Sequence, residues 1–98
     1  MSWAHGASGG FPVKTIHPMK RGEAKSDLNR AVAEVIAELR KSAGLSQEAL
    51  AFECGLHPTY ISKLERGLKT PTLYTIFVIA ETIGRQPHEV IQHFETKL

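Results

Sequence analysis

The sequence predicts an all-α domain of five helices behind a flexible N-terminal arm. Three observations carry that expectation. From Ser26 onward, apolar residues recur at intervals of three and four, the spacing of one helix face. Glycines and prolines fall between those runs, where they stop or start helices. No segment alternates apolar and polar residues over enough length for a strand.

The elements follow in order. Residues 1–25 hold Gly6, Gly9, Gly10, Pro12, Pro18 and Gly22, and Trp3, Phe11, Val13 and Ile16 form no stripe, so this stretch is expected to be an arm. The domain is expected to span residues 26–98. Ser26 or Asp27 can cap a first helix whose stripe is Val32, Ile36 and Leu39, widened by Leu28 and Val35. Arg40 and Lys41 suit its C-terminal dipole, and Gly44 ends it. Ser46 caps a second helix from Gln47 to about Glu53, broken by Gly55. Pro58 opens a third, where a missing amide costs nothing; Ile61 and Leu64 form its apolar side, and Gly67 ends it. Thr72 caps a fourth carrying Leu73, Ile76, Phe77, Ala80 and Ile83. Pro87 opens a fifth with Val90, Ile91 and Phe94.

Composition narrows the function classes. The chain has 98 residues, 42% of them hydrophobic, which suits one small core. A single cysteine, Cys54, excludes an intramolecular disulfide and a four-cysteine zinc site. No apolar run approaches the roughly 20 residues that cross a bilayer, and no basic segment followed by an apolar one marks a secretory signal. A cytoplasmic protein with no membrane association is expected. The net charge is only +2, but Lys63, Arg66 and Lys69 cluster against Glu65 alone, while most acidic residues lie elsewhere. That polarity suits one face toward an anionic partner.

The most specific segment runs from Gln47 to Arg66. Two short helices meet there across a tight turn, with Leu50, Cys54, Leu56, Ile61 and Leu64 able to share an interior. Ala51 is small where helices approach, and Gly55 stands where the chain must turn. These requirements define a helix-turn-helix, whose second helix can present its outer face to a DNA major groove.

Here the sequence resembles the Xre/Cro-type, lambda-repressor-like DNA-binding domains of bacterial and phage regulators. The carrying residues are Leu39-Arg40, Gly44-Leu45-Ser46-Gln47, Leu50-Ala51, Gly55-Leu56, Tyr60 through Gly67, and Pro71-Thr72-Leu73, in that order and spacing. The resemblance covers about residues 28 to 94. It implies a five-helix lambda-repressor-like fold and a transcriptional regulator that binds a double-stranded DNA operator. It also implies base reading from Thr59, Ser62 and Lys63. Lys63 can donate to guanine, and Thr59 can meet a base edge or thymine methyl. Gln47, Arg66, Lys69 and Thr70 are candidates for backbone contact. His57 is either a helix cap or a phosphate contact, and Tyr60 is either a further DNA-contact candidate around the same groove or mostly packed, with its hydroxyl at the rim. Pro58 departs from the pattern, since it has no donor. The resemblance further pairs Arg40 with Glu65.

Enzyme readings find no support in the residues. His88 and His93 are five apart, and Cys54 and His57 are divided by the turn at Gly55. No metal set, cofactor motif, small-molecule effector site or catalytic triad is recognisable. The alternative to DNA readout is a protein-interaction adaptor or coactivator on the same fold. One recognition helix reads few base pairs, so a homodimer is expected, with Ile91, Phe94 and Leu98 meeting their counterparts beside part of the fourth helix.

Overall fold

The computed structural model describes residues 21–98. Five helices follow in order: α1 Arg21–Ser42, α2 Gln47–Cys54, α3 Pro58–Glu65, α4 Leu73–Thr82 and α5 Pro87–Thr96, with no strand among the described residues. Helices α2 and α3 pack on each other, α3 and α5 pack on α1, and α4 bridges α2 and α5. No helix of the described residues is long and apolar enough to cross a membrane.

Local chemistry sets the helix ends. Ser46 Oγ accepts from Ala49 N at 3.0 Å, and Thr72 Oγ1 accepts from Thr75 N at 3.1 Å. Each bond satisfies an amide that the first helical turn leaves open. At α5, Gln86 N donates to Glu89 Oε1 at 2.8 Å, half of a capping box. The α2–α3 turn depends on Gly55, which adopts φ +69°. Its left-handed backbone lets Leu56 N reach Ala51 O at 2.8 Å while Gly55 N reaches Phe52 O at 3.2 Å. That pair of bonds closes the helix as a Schellman motif. The same closure ends α1, α3 and α4, through Leu45 N to Arg40 O, Leu68 N to Lys63 O and Arg85 N to Ala80 O.

The core is one cluster. Val32, Val35, Ile36 and Leu39 from α1 meet Leu50, Ala51 and Cys54 from α2, Ile61 and Leu64 from α3, Ile79 and Ala80 from α4, and Val90 and Phe94 from α5. Burying each large aliphatic side chain contributes about 1.5–3 kcal/mol before entropy is counted. This cluster fixes α3 on its inner side.

Three sequence expectations are corrected. Ser26 and Asp27 do not cap α1. The helix already runs at Arg21, and residues 21–25, assigned to the arm, are helical. Glu23, Ala24 and Lys25 favour helix, and Glu23 also suits the positive end of the dipole. Second, α4 buries Thr75, Ile79 and Ala80, while Leu73 and Phe77 are exposed together with Tyr74. Third, Phe94 is only 5% exposed and belongs to the core, so it is not a surface residue open to a partner. Residues 1–20, most of the expected arm, lie outside the described residues.

Candidate nucleic-acid interface

Helix α3 begins at an exposed proline and is capped by His57, whose Nδ1 accepts from Thr59 N at 3.1 Å. His57 is therefore a cap, one of the two roles open to it. Ile61 and Leu64 are fully buried and fasten the helix to α1 and α2. The opposite side carries Thr59, Ser62 and Lys63, with Arg66 just beyond the last turn. Thr59 and Arg66 are exposed, and Ser62 and Lys63 are half-buried at the helix flank. Among the described residues, Arg30, Arg40 and Lys97 enter ion pairs, whereas Lys63, Arg66 and Lys69 do not, and neither do the scattered Lys25, Lys41 and Arg85. Three uncompensated cations thus stand on or beside one short helix.

The orientation of α3 relative to α2 rests on a carboxylate. Glu65 Oε2 accepts from Arg40 Nε at 2.6 Å, and Oε1 accepts from Arg40 Nη2 and Gln47 Nε2, both at 2.9 Å. Arg40 Nη1 also donates to Leu45 O at 2.7 Å, so the guanidinium joins α1, the α1–α2 turn and the end of α3. Hydrogen bonding to Glu65 raises the Arg40 pKa from its ordinary value; burial opposes this, and the Glu65 charge adds to it. The expected Arg40–Glu65 pair is thus present and bidentate. Gln47, at the first position of α2, is tied to the same carboxylate and lines a shallow cleft with Ser46, Pro58, Thr59 and Ser62. That cleft lies at the junction of the α2 N-terminus and the outer side of α3.

Two candidates are engaged internally. Tyr60 is half-buried, with its hydroxyl 3.5 Å from Thr75 Oγ1 on α4, the packed alternative of its two readings. Thr70 is exposed, yet its hydroxyl donates to Asn29 Oδ1 at 2.7 Å. A hydroxyl has one proton, so while that bond stands Thr70 cannot donate to a phosphate. Sequence reasoning missed Asn29, which interrupts the apolar stripe of α1. A polar residue inside such a stripe was the available signal. At Cys54, Sγ donates to Thr82 Oγ1 at 3.3 Å, and burial pushes the thiol pKa up against that hydrogen bond, with the Glu53 charge adding to the rise. Among the described residues, no group of three or more His, Cys, Asp or Glu side chains could hold a metal ion.

Comparison with known proteins agrees with this geometry. The helix-turn-helix family model matches residues 36–90, and the chain belongs to that family. Control protein C.BamHI of Bacillus amyloliquefaciens is 44% identical over 57 residues, covering 57% of this chain and 70% of that protein. The uncharacterized HTH-type transcriptional regulator y4dJ of Sinorhizobium fredii is 34% identical over 65 residues, covering 66% of this chain and 84% of that one. Among solved structures, the restriction-modification controller protein C.AhdI from Aeromonas hydrophila superposes with a TM-score of 0.61 at 35% identity. That match covers 63% of this chain and 94% of the controller. The all-α, lambda-repressor-like fold of the Xre/Cro type is therefore established for the described residues.

Proposed function

We propose that this protein is a cytoplasmic transcriptional regulator that binds a specific double-stranded DNA operator as a homodimer and inserts α3 into the major groove. The observation that carries the reading is the outer side of α3. Thr59, Ser62, Lys63 and Arg66 face away from a core that holds the helix rigidly, and the cations there lack internal partners. Thr59, Ser62 and Lys63 read bases; Arg66, Lys69 and the Gln47 end of α2 contact the backbone. His57 and Tyr60 hold the helix at the rim. Of the repressor, antitoxin and restriction-modification controller types, the relatives named above favour the controller.

The dimer surface in this reading is the outer side of α4. Leu73, Tyr74 and Phe77 are 61%, 71% and 53% exposed on one helix, a larger apolar cluster than the remaining candidates Ile91 and Leu98 offer. Exposed apolar patches of that kind mark association sites.

Binding to a selected operator and to a scrambled duplex across a salt series tests the DNA reading. Affinity for both should fall steeply with salt, and the operator should bind tighter. Lys63→Ala should cost about 1–3 kcal/mol on the operator and less on the scrambled duplex, because it removes a base contact. Lys69→Ala should weaken both about equally. Salt-insensitive binding, or none, would favour the adaptor alternative.

A further inference from the structure

The buried Asn29 has no role in reading or stabilising DNA directly, since it sits 8% exposed on α1. Its amide oxygen nevertheless accepts the Thr70 hydroxyl across a separation of 41 residues. Among the described residues, this is the one side-chain hydrogen bond that joins residues 68–71 to another helix. The stretch has little else to hold it. Leu68, Lys69 and Thr70 are all exposed, and the Schellman closure reaches only as far as Leu68 N. Just before it, Gly67 takes φ +75° and lies beside Asn29: a Cβ added there would meet the Asn29 carbonyl oxygen at 3.7 Å, an ordinary contact distance. The loop therefore leaves Gly67 near the α1 backbone and is pinned to the α1 side chain at Thr70. Lys69 stands between those two points. A buried amide is costly unless hydrogen-bonded, so the pairing is a specific placement.

We infer that Asn29 is a positioning residue for DNA-backbone contact: through Thr70 it holds the α3–α4 loop so that the Lys69 ammonium is fixed beside the end of α3. This rests on the DNA-binding reading above. Without the pin, Lys69 must be ordered at the moment of binding, and part of its phosphate contact is lost to entropy. The inference also reassigns Thr70. Its hydroxyl works inward on Asn29, and it need not touch phosphate.

The test uses the full chain and a random-sequence duplex, where phosphate contacts dominate. One lost phosphate contact lowers the salt slope by about 0.9, which corresponds to about an eightfold weaker affinity at 0.1 M salt. Lys69→Ala should show that loss. Thr70→Val, nearly isosteric and at an exposed site, should raise Kd by about two- to eightfold with a shallower salt slope. Circular dichroism should show it fully folded at the assay temperature. Thr70→Ser, which keeps the hydroxyl, should restore affinity. Asn29→Ala should reproduce the Thr70→Val loss. Adding Thr70→Val to Lys69→Ala should cost nothing further, because both act on one contact. Wild-type affinity in Thr70→Val, or additive losses in the double variant, would overturn the inference. Failure of the wild-type chain to bind the duplex would instead overturn the DNA reading itself.

Discussion

Replacing Glu65 by alanine should strongly destabilise this fold. The Glu65 side chain is 6% exposed and that of Arg40 11%. The carboxylate accepts two hydrogen bonds from Arg40 and one from Gln47. Truncation leaves a guanidinium enclosed with only the Leu45 carbonyl for company. Removing one partner of a buried pair costs about 3–5 kcal/mol, against roughly 0–1 for an exposed pair. A domain of this size has a total stability of about 4–12 kcal/mol, at roughly 0.05–0.15 kcal/mol per residue. The variant should therefore lose about a quarter of it or more. Urea unfolding followed by circular dichroism reads this directly. With a slope near 1 kcal/mol per molar urea, the midpoint should fall by about 3–5 M at unchanged slope. The companion double variant Arg40→Met with Glu65→Leu should recover most of the loss, since two apolar groups need no partners. A midpoint shift under about 1 M in Glu65→Ala would refute the reasoning and place the pair among surface ion pairs.

Three further outcomes are expected. Phe77→Glu should convert a micromolar dimer into a monomer in sedimentation, weakening association by roughly 30-fold or more, the effect of removing one interface hot spot of about 2 kcal/mol; a dimer that persists would exclude the α4 face. Phe94→Glu should unfold the chain, because Phe94 lies in the core. The Cys54 thiol, raised by burial, favours the neutral form when folded. Its contribution to stability is complete below the ordinary value of about 9 and is lost as pH rises through the raised one. Thermal melts from neutral to strongly alkaline pH should fall more steeply for the wild type than for Cys54→Ala above that point; parallel curves would contradict it.

The parts of this fold that were legible in the sequence are those set by local chemistry. Ser46, Thr72 and Pro58 announce helix starts because each solves a problem of the first turn within three residues. Gly55 and Gly67 announce stops for the same reason. The start of α1 shows how such signals compete: Ser26 and Asp27 are good caps, but the preceding Glu-Ala-Lys is better helix than arm. The inward side of α4 was not legible. Leu73, Ile76, Phe77, Val78, Ile79, Ala80 and Ile83 surround that helix with apolar groups, so periodicity cannot choose among them. What chooses is non-local. Thr75 turns inward toward the Tyr60 hydroxyl and the Thr72 hydroxyl, and Leu73 and Phe77 are left outside. In α5, Val90 and Phe94 are one turn apart and fill the core, which moves Ile91 to the surface. The Asn29–Thr70 bond spans 41 residues, and although Asn29 stands out in the apolar stripe of α1, nothing local names Thr70 as its partner. The outer side of α3 was read from the resemblance together with helical spacing, and the geometry brings those residues to one side of one helix.

These contacts bear on how reading and assembly would be joined. The proposed reading face is on α3 and the proposed two-fold face is on α4, separated in sequence by the loop of residues 66–72. That loop is pinned to α1, and the two helices are also linked across it by the Tyr60–Thr75 contact. Cys54 and Thr82 tie α2 to α4 on the far side of the core. Each helix end along the path closes with a hydrogen-bonded cap or a Schellman turn. A dimer through α4 would therefore hold its two α3 helices at a separation set by packed helices and short bonds. Half-sites about 34 Å apart demand that kind of rigidity, because a flexible connection would let each subunit settle on any phosphate within reach. In such an arrangement a small rotation of α4 against α3 changes the spacing between recognition helices more than it changes either subunit. The residues between the two faces, Tyr60, Thr70 and Asn29, would then govern operator choice without touching a base.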